Sequence, residues 1–190
     1  MMRRVPILST IIVLIAVGMM IRLGLWQIDR LHEKDAMLAR YTAAQASSAH
    51  MPFPTGAAEV EAALYHRTSV DCFSATNPTS RSGRNAKGDA GIAQIVTCKT
   101  ATASNIEVVL GVAQTPAIVA WSGGTVTGWI APGPKVIADP PQAGLAASAR
   151  PDPNDIPNNH LAYAVQWFFF AIIALAIYGI ALRKRWRERK

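Results

Sequence analysis

Leu161–Leu182 is a run of 22 residues without a formal charge, and it restricts most strongly what this chain can become. A helix rises about 1.5 Å per residue, so the run covers about 33 Å, enough for the hydrocarbon core of a bilayer. His160 stands immediately before it, and Arg183, Lys184, Arg185, Arg187, Arg189 and Lys190 crowd its far end. A second apolar run, Val5–Leu25, follows Arg3 and Arg4 and carries one charge, Arg22, near its far end. An arginine there can extend its guanidinium to the headgroups without blocking insertion. The positive start and apolar middle also fit a signal peptide. The run is long, however, and no A-x-A site follows closely, so a retained anchor is expected.

The net charge of +7 would suggest nucleic acid if it were spread over a folded face. It is not spread. Arg3, Arg4 and the six C-terminal bases, set against Glu188, account for all of it; the other 11 bases and 11 acids cancel. An excess confined to the flanks of two apolar runs is the positive-inside pattern and needs no phosphate backbone to explain it. Both termini are expected in the cytoplasm of a bacterium, with the central chain on the periplasmic side of its inner membrane. The composition, 51% hydrophobic and 16% charged, suits an anchored protein.

The expected organisation is therefore a cytoplasmic N-terminus (1–4), a first transmembrane helix (5–25), a helical extension and linker (26–56), and a periplasmic β domain (57–139). A proline-rich strap (140–160), a second transmembrane helix (161–182) and a basic cytoplasmic tail (183–190) complete it. Leu25–Ala46 has no proline or late glycine and should continue the first helix; Pro52, Pro54 and Gly56 should end it, with a short helix at Ala57–Leu64. His66–Phe73, Gly91–Lys99, Ile106–Ala113, Ala117–Trp121, Thr125–Ile130 and Lys135–Ala138 are short runs rich in Val, Ile and Thr, divided by turn formers. They predict a small, mainly antiparallel sheet, compact enough to close into a barrel. Polar Asn77–Gly91 reads as a mobile hairpin tip. Five prolines within Asp139–Asn158 forbid a helix there.

Cys72 and Cys98 lie near the ends of consecutive predicted strands. In an oxidising compartment a disulfide is the favoured expectation; two inert buried thiols are the alternative, and metal ligation has no matching spacing. No G-x-S-x-G, S-x-x-K, P-loop or H-x-x-x-H is present, so catalysis is the weaker hypothesis.

Two constellations could carry chemistry. The first, Leu23-Gly24-x-Trp26-Gln27-x-x-Arg30-x-x-x-Lys34, places an aromatic ring, an amide and two cations within about a 100° arc at the membrane boundary. An aromatic belt with headgroup-seeking bases explains most of it, but Gln27 less well. In the second, His160, Tyr163 and Trp167 share a helix face beside Gln166. Tyr and Trp there are belt residues by default. His160 reads either as a polar residue opening a helix after Asn158 or Asn159, or as a ligand to metal or heme iron.

Together, the first motif and Asn-Asn-His-Leu-Ala-Tyr-Ala-x-Gln-Trp-Phe over Asn158–Phe168 resemble the surfeit locus protein 1 family. Those two motifs sit at the ends of two spans around an outer β domain, so the resemblance covers the whole layout. It implies a factor, without catalysis of its own, that assists assembly of heme-copper cytochrome c oxidase, binds heme a and helps deliver it to subunit I. Heme A synthase, subunit I and membrane lipid are the implied partners. His160 matches the family's candidate axial ligand. Trp26, Gln27 and Arg30 would shape the same interface, and Tyr163 and Trp167 could flank the porphyrin. Arg22, Arg30 or Lys34 could pair with propionates, and His32 is a conceivable second ligand. The chain departs from the family at Val108–Pro116, where many members carry Asn-Arg-Gly-Trp and this one has neither Arg nor Trp. The rival functions are a chaperone of subunit I that binds no heme, a two-span periplasmic regulator or sensor, and a membrane hydrolase.

Overall fold

A computed structural model describes residues 6–101, 105–116 and 118–188. Arg3, Arg4, Arg189, Lys190 and the first residue of the expected N-terminal span lie outside the described residues. The chain divides into two compact units, Met1–Met37 with Ile156–Lys190, and Leu38–Asp155.

Helix α1 runs from Ile7 to Ala46 with no internal proline, and Thr10 N–H closes its first turn on the Pro6 carbonyl at 3.0 Å. It ends where the chain enters Ser47–Gly56, whose prolines cannot extend a helix. Helix α2, Ala57–Ala63, is short. Helix α3, His160–Glu188, begins as soon as the proline-rich stretch is past. Helices α1 and α3 are both long and apolar enough to cross a membrane. Their apolar side chains are mostly exposed, with only 11% and 6% of the two apolar windows buried, as lipid-facing surfaces require.

Six strands make one sheet: β1 Arg67–Cys72, β2 Ser74–Arg84, β3 Ala90–Lys99, β4 Ile106–Ala113, β5 Gly124–Ala131 and β6 Lys135–Ala138. Their order is β1-β5-β6-β4-β3-β2, all antiparallel except the β4–β6 pair. Alternate residues of five strands point into one core: Val70 and Cys72, Val96 and Cys98, Ile106, Val108 and Leu110, Val126, Val136 and Ala138. Each fully buried aliphatic side chain contributes about 1.5–3 kcal/mol.

The sheet is curled but not closed, which corrects the barrel expectation. Strands β1 and β2 are its two edges, yet only Phe73 separates Cys72 from Ser74, so the edges must meet at one corner. They do: Phe73 N–H donates to the Lys99 carbonyl at 2.9 Å, and Cys72 is disulfide-bonded to Cys98. No ladder joins β1 to β2 among the described residues. The disulfide thus cross-links a corner that backbone hydrogen bonds also close. On the chain-entropy model a loop of this size stabilises by about 3 kcal/mol. The double variant Cys72→Ala/Cys98→Ala should lose about that much, read as a lower urea midpoint of the near-ultraviolet signal.

Two strand expectations are corrected. The hairpin expected over Asn77–Gly91 is present but its tip is shorter: Thr79–Arg84 pairs residue by residue with β3, and only Asn85–Asp89 turns, with Asn85 Oδ1 accepting from the Lys87 and Asp89 amides. As an exposed edge strand, β2 carries no apolar alternation, and Pro78 sits at its bulge, where a missing donor costs nothing. Residues 118–121 form no strand, and Ala117 lies outside the described residues. The β4 edge this segment would need is already taken by β3 and β6.

The proline-rich segment is laced to the sheet. Gln142 N–H donates to the Leu110 carbonyl, and Ala146 exchanges bonds with Val112. Asp139 anchors its start: its carboxylate accepts from Trp129 Nε1 at 3.1 Å and pairs with Arg67 at 3.3 Å. The Arg67 and Arg150 guanidiniums lie 4.9 and 5.2 Å from the Trp129 ring centre. Tyr65, 1% exposed, stacks on Tyr41 with ring centres 4.8 Å apart. Burial, aided by Tyr41, Asp155 and Asp152, pushes its phenol above the ordinary 10.0.

Candidate functional site where the two long helices meet

On α1 the positions shielded from solvent recur at Thr10, Val13, Val17, Met20, Gly24, Gln27, Leu31 and Lys34. On α3 they recur at His160, Ala164, Trp167, Ala171, Ala174 and Tyr178. Alternating steps of three and four give each helix a narrow seam of coiled-coil type. Three alanines, Ala164, Ala171 and Ala174, alternate with larger residues in the α3 seam and let the helices approach closely. The tightest point on the other side is Gly24, where a Cβ would lie 2.7 Å from the Phe168 ring.

Three polar contacts fix the register. Near one end Thr10 Oγ1 and Tyr178 Oη are 2.5 Å apart. Toward the other, His160 Nδ1 lies 2.7 Å from Gln27 Oε1, and Asn158 Nδ2 donates to Asp35 Oδ1 at 2.8 Å. Partner numbers rise on one helix as they fall on the other, so the helices are antiparallel. An amide oxygen can only accept. The imidazole therefore carries its proton on Nδ1, which leaves the Nε2 lone pair available as a donor to a metal.

The structure brings together Gln27 and His160, one residue from each sequence motif. It separates Trp26 and Arg30 from that seam. Trp26 is 47% exposed, with the Arg30 guanidinium 5.6 Å from its ring centre, and Arg30 is also paired with Glu33. Tyr163 is 51% exposed, while Trp167 is half-buried and meets Phe170 edge-on at 6.2 Å. Arg22 is exposed, Lys34 half-buried and His32 exposed on α1. The sequence reading missed Asp35, Glu33 and the Gly24–Phe168 contact. Asp35 looked like one of several charges on a solvated helix, and only its pairing with Asn158 distinguishes it.

Among the described residues no group of three or more His, Cys, Asp or Glu could hold a bare metal ion. A single imidazole suits an iron already held by four porphyrin nitrogens far better than a free ion.

A family model, described as the SURF1 family, matches residues 14–172. That interval begins inside α1, ends inside α3 and includes both motifs and the whole sheet.

The chain belongs to the SURF1 family.

Comparison with curated proteins gave no match, and comparison with solved structures gave none. The segment Val108–Pro116 enters the core here. Val108 and Leu110 are fully buried and Val112 nearly so. In this chain those positions pack the curled sheet.

Proposed function

We propose that this SURF1-family chain is an assembly factor for heme-copper cytochrome c oxidase that holds heme a through His160 and passes it to subunit I. The observation that carries the reading is the Gln27–His160 hydrogen bond. It joins the two motifs that carry the family resemblance and selects the tautomer a heme ligand needs. Heme a supplies an iron with open axial positions, a broad apolar face and anionic propionates.

The residues present suit such a cargo. His160 Nε2 would donate to the iron, and Gln27 Oε1 would hold the ring's orientation and raise its basicity. Exposed Tyr163 and Trp26 offer flat apolar area, and Arg22 and Arg30 offer cations for propionates. Arg30 would have to exchange its bond with Glu33 to do so. Only two helices bound the site, which favours release over storage. The chain would act by binding alone, anchored in a bacterial inner membrane with both termini cytoplasmic and the sheet unit periplasmic. Heme A synthase would be the donor.

Oxidase purified from a strain lacking this chain, assayed for heme a and copper, tests the proposal. Substoichiometric heme a in subunit I is expected. Full heme occupancy at normal yield would defeat it.

A further inference from the structure

Beside the Gln27–His160 bond, a second polar contact ties the start of α3 to α1. The Asn159 carbonyl accepts the Tyr163 amide at 3.3 Å, so His160 opens the helix, and Asn158 lies in the incoming chain two residues before it. Asn158 Nδ2 donates to Asp35 Oδ1 at 2.8 Å. Gln27 and Asp35 are eight positions apart on α1, about 12 Å along the helix axis. The beginning of α3 is thus gripped at two separated heights by the same helix.

The other end of the Asn158 amide, Oδ1, is buried without a hydrogen-bond partner among the described residues, so Asp35 supplies the one hydrogen bond this side chain makes there. Removing the Asp35 carboxylate would leave both ends of a half-buried amide unsatisfied, a state that favours swinging the segment out to water. His160, two residues on, would move with it.

We propose that Asp35 is a positioning residue for His160, acting through Asn158. This rests on the heme reading of His160 for its functional consequence, but its structural claim can be tested without heme. The interaction needs an acceptor oxygen at position 35, and an asparagine can supply one. Asp35→Asn should therefore restore what Asp35→Ala loses.

The test uses the full chain in detergent. In heme-free protein, carbethoxylation of His160 is followed by peptide mass spectrometry, with His66 as an internal reference. Asp35→Ala should raise the His160 rate several-fold and leave His66 unchanged, while Asp35→Asn stays near wild type. In protein loaded with heme a, Asp35→Ala should shift the Soret band and speed heme dissociation several-fold, less than the roughly tenfold or greater loss typical when a metal ligand's own partner is removed. If Asp35→Ala reacts as wild type does, the positioning role is overturned. If Asp35→Asn is as impaired as Asp35→Ala, the acceptor mechanism is overturned. If the reactivity changes are as expected but His160→Ala retains heme normally, the positioning stands and the heme reading of His160 fails.

Discussion

His160→Ala should lower heme a retention by at least about a hundredfold, because loss of the ligand must exceed the 10–100-fold loss typical for one of its outer partners. The visible spectrum of protein purified from cells making heme a would show it as loss of the Soret band at unchanged protein yield. Gln27→Leu should fall between wild type and His160→Ala. It keeps the imidazole but removes the acceptor that holds its Nδ1 proton, so retention should drop about tenfold. An unchanged heme content in His160→Ala would remove His160 as a required ligand. A Gln27→Leu variant as heme-free as His160→Ala would mean that the seam had come apart rather than lost one bond. The spans themselves should tolerate either change, since helix association here rests on the small-residue seam and the Gly24–Phe168 contact.

The largest effect on the sheet unit is expected at Gly128. It faces Thr68 on β1 and Ala138 on β6, in a strand paired on both sides. A Cβ at that position would lie 2.0 Å from the Ile137 carbonyl oxygen. The obstacle is backbone in the neighbouring strand, so no side-chain rotation relieves it. Gly128→Ala should cost at least about 3 kcal/mol, the upper range for overpacking. Urea unfolding of the full chain would measure it. Near-wild-type stability would mean that β5 and β6 can part without breaking the Trp129–Asp139–Arg67 cluster that follows. Gly83→Ala is the control: its Cβ would meet the Ala93 methyl at 2.9 Å on the exposed β2 edge, where the strand can yield.

Much of the architecture was legible because burial writes itself into local pattern. Strands β4 and β6 have the predicted bounds, β1 and β5 differ by one residue at each end, and β3 starts one residue early. Each buries residues in the core and is rich in Val, Ile or Thr. Strand β2 was illegible for the opposite reason. It buries almost nothing, and its strand character comes from pairing with β3. Ile118–Trp121 has the composition of a strand but no free edge to join. Of the site, His160, Gln27 and the two motifs could be read from spacing and resemblance. The partner of each could not, because 133 residues separate Gln27 from His160 and 123 separate Asp35 from Asn158.

By itself the sequence determined the two apolar helices, the location of the whole net charge beside them, and the composition of a small sheet between. Those depend on hydrophobicity and charge, which are properties of each residue wherever it lies. Tertiary structure alone decided that the sheet curls until Cys72 meets Cys98 yet stays open, that Gln27 rather than Trp26 faces His160, and that Asp35 holds Asn158. Those depend on which distant groups come within about 3 Å, and hydrogen bonds and steric contacts act only at that range.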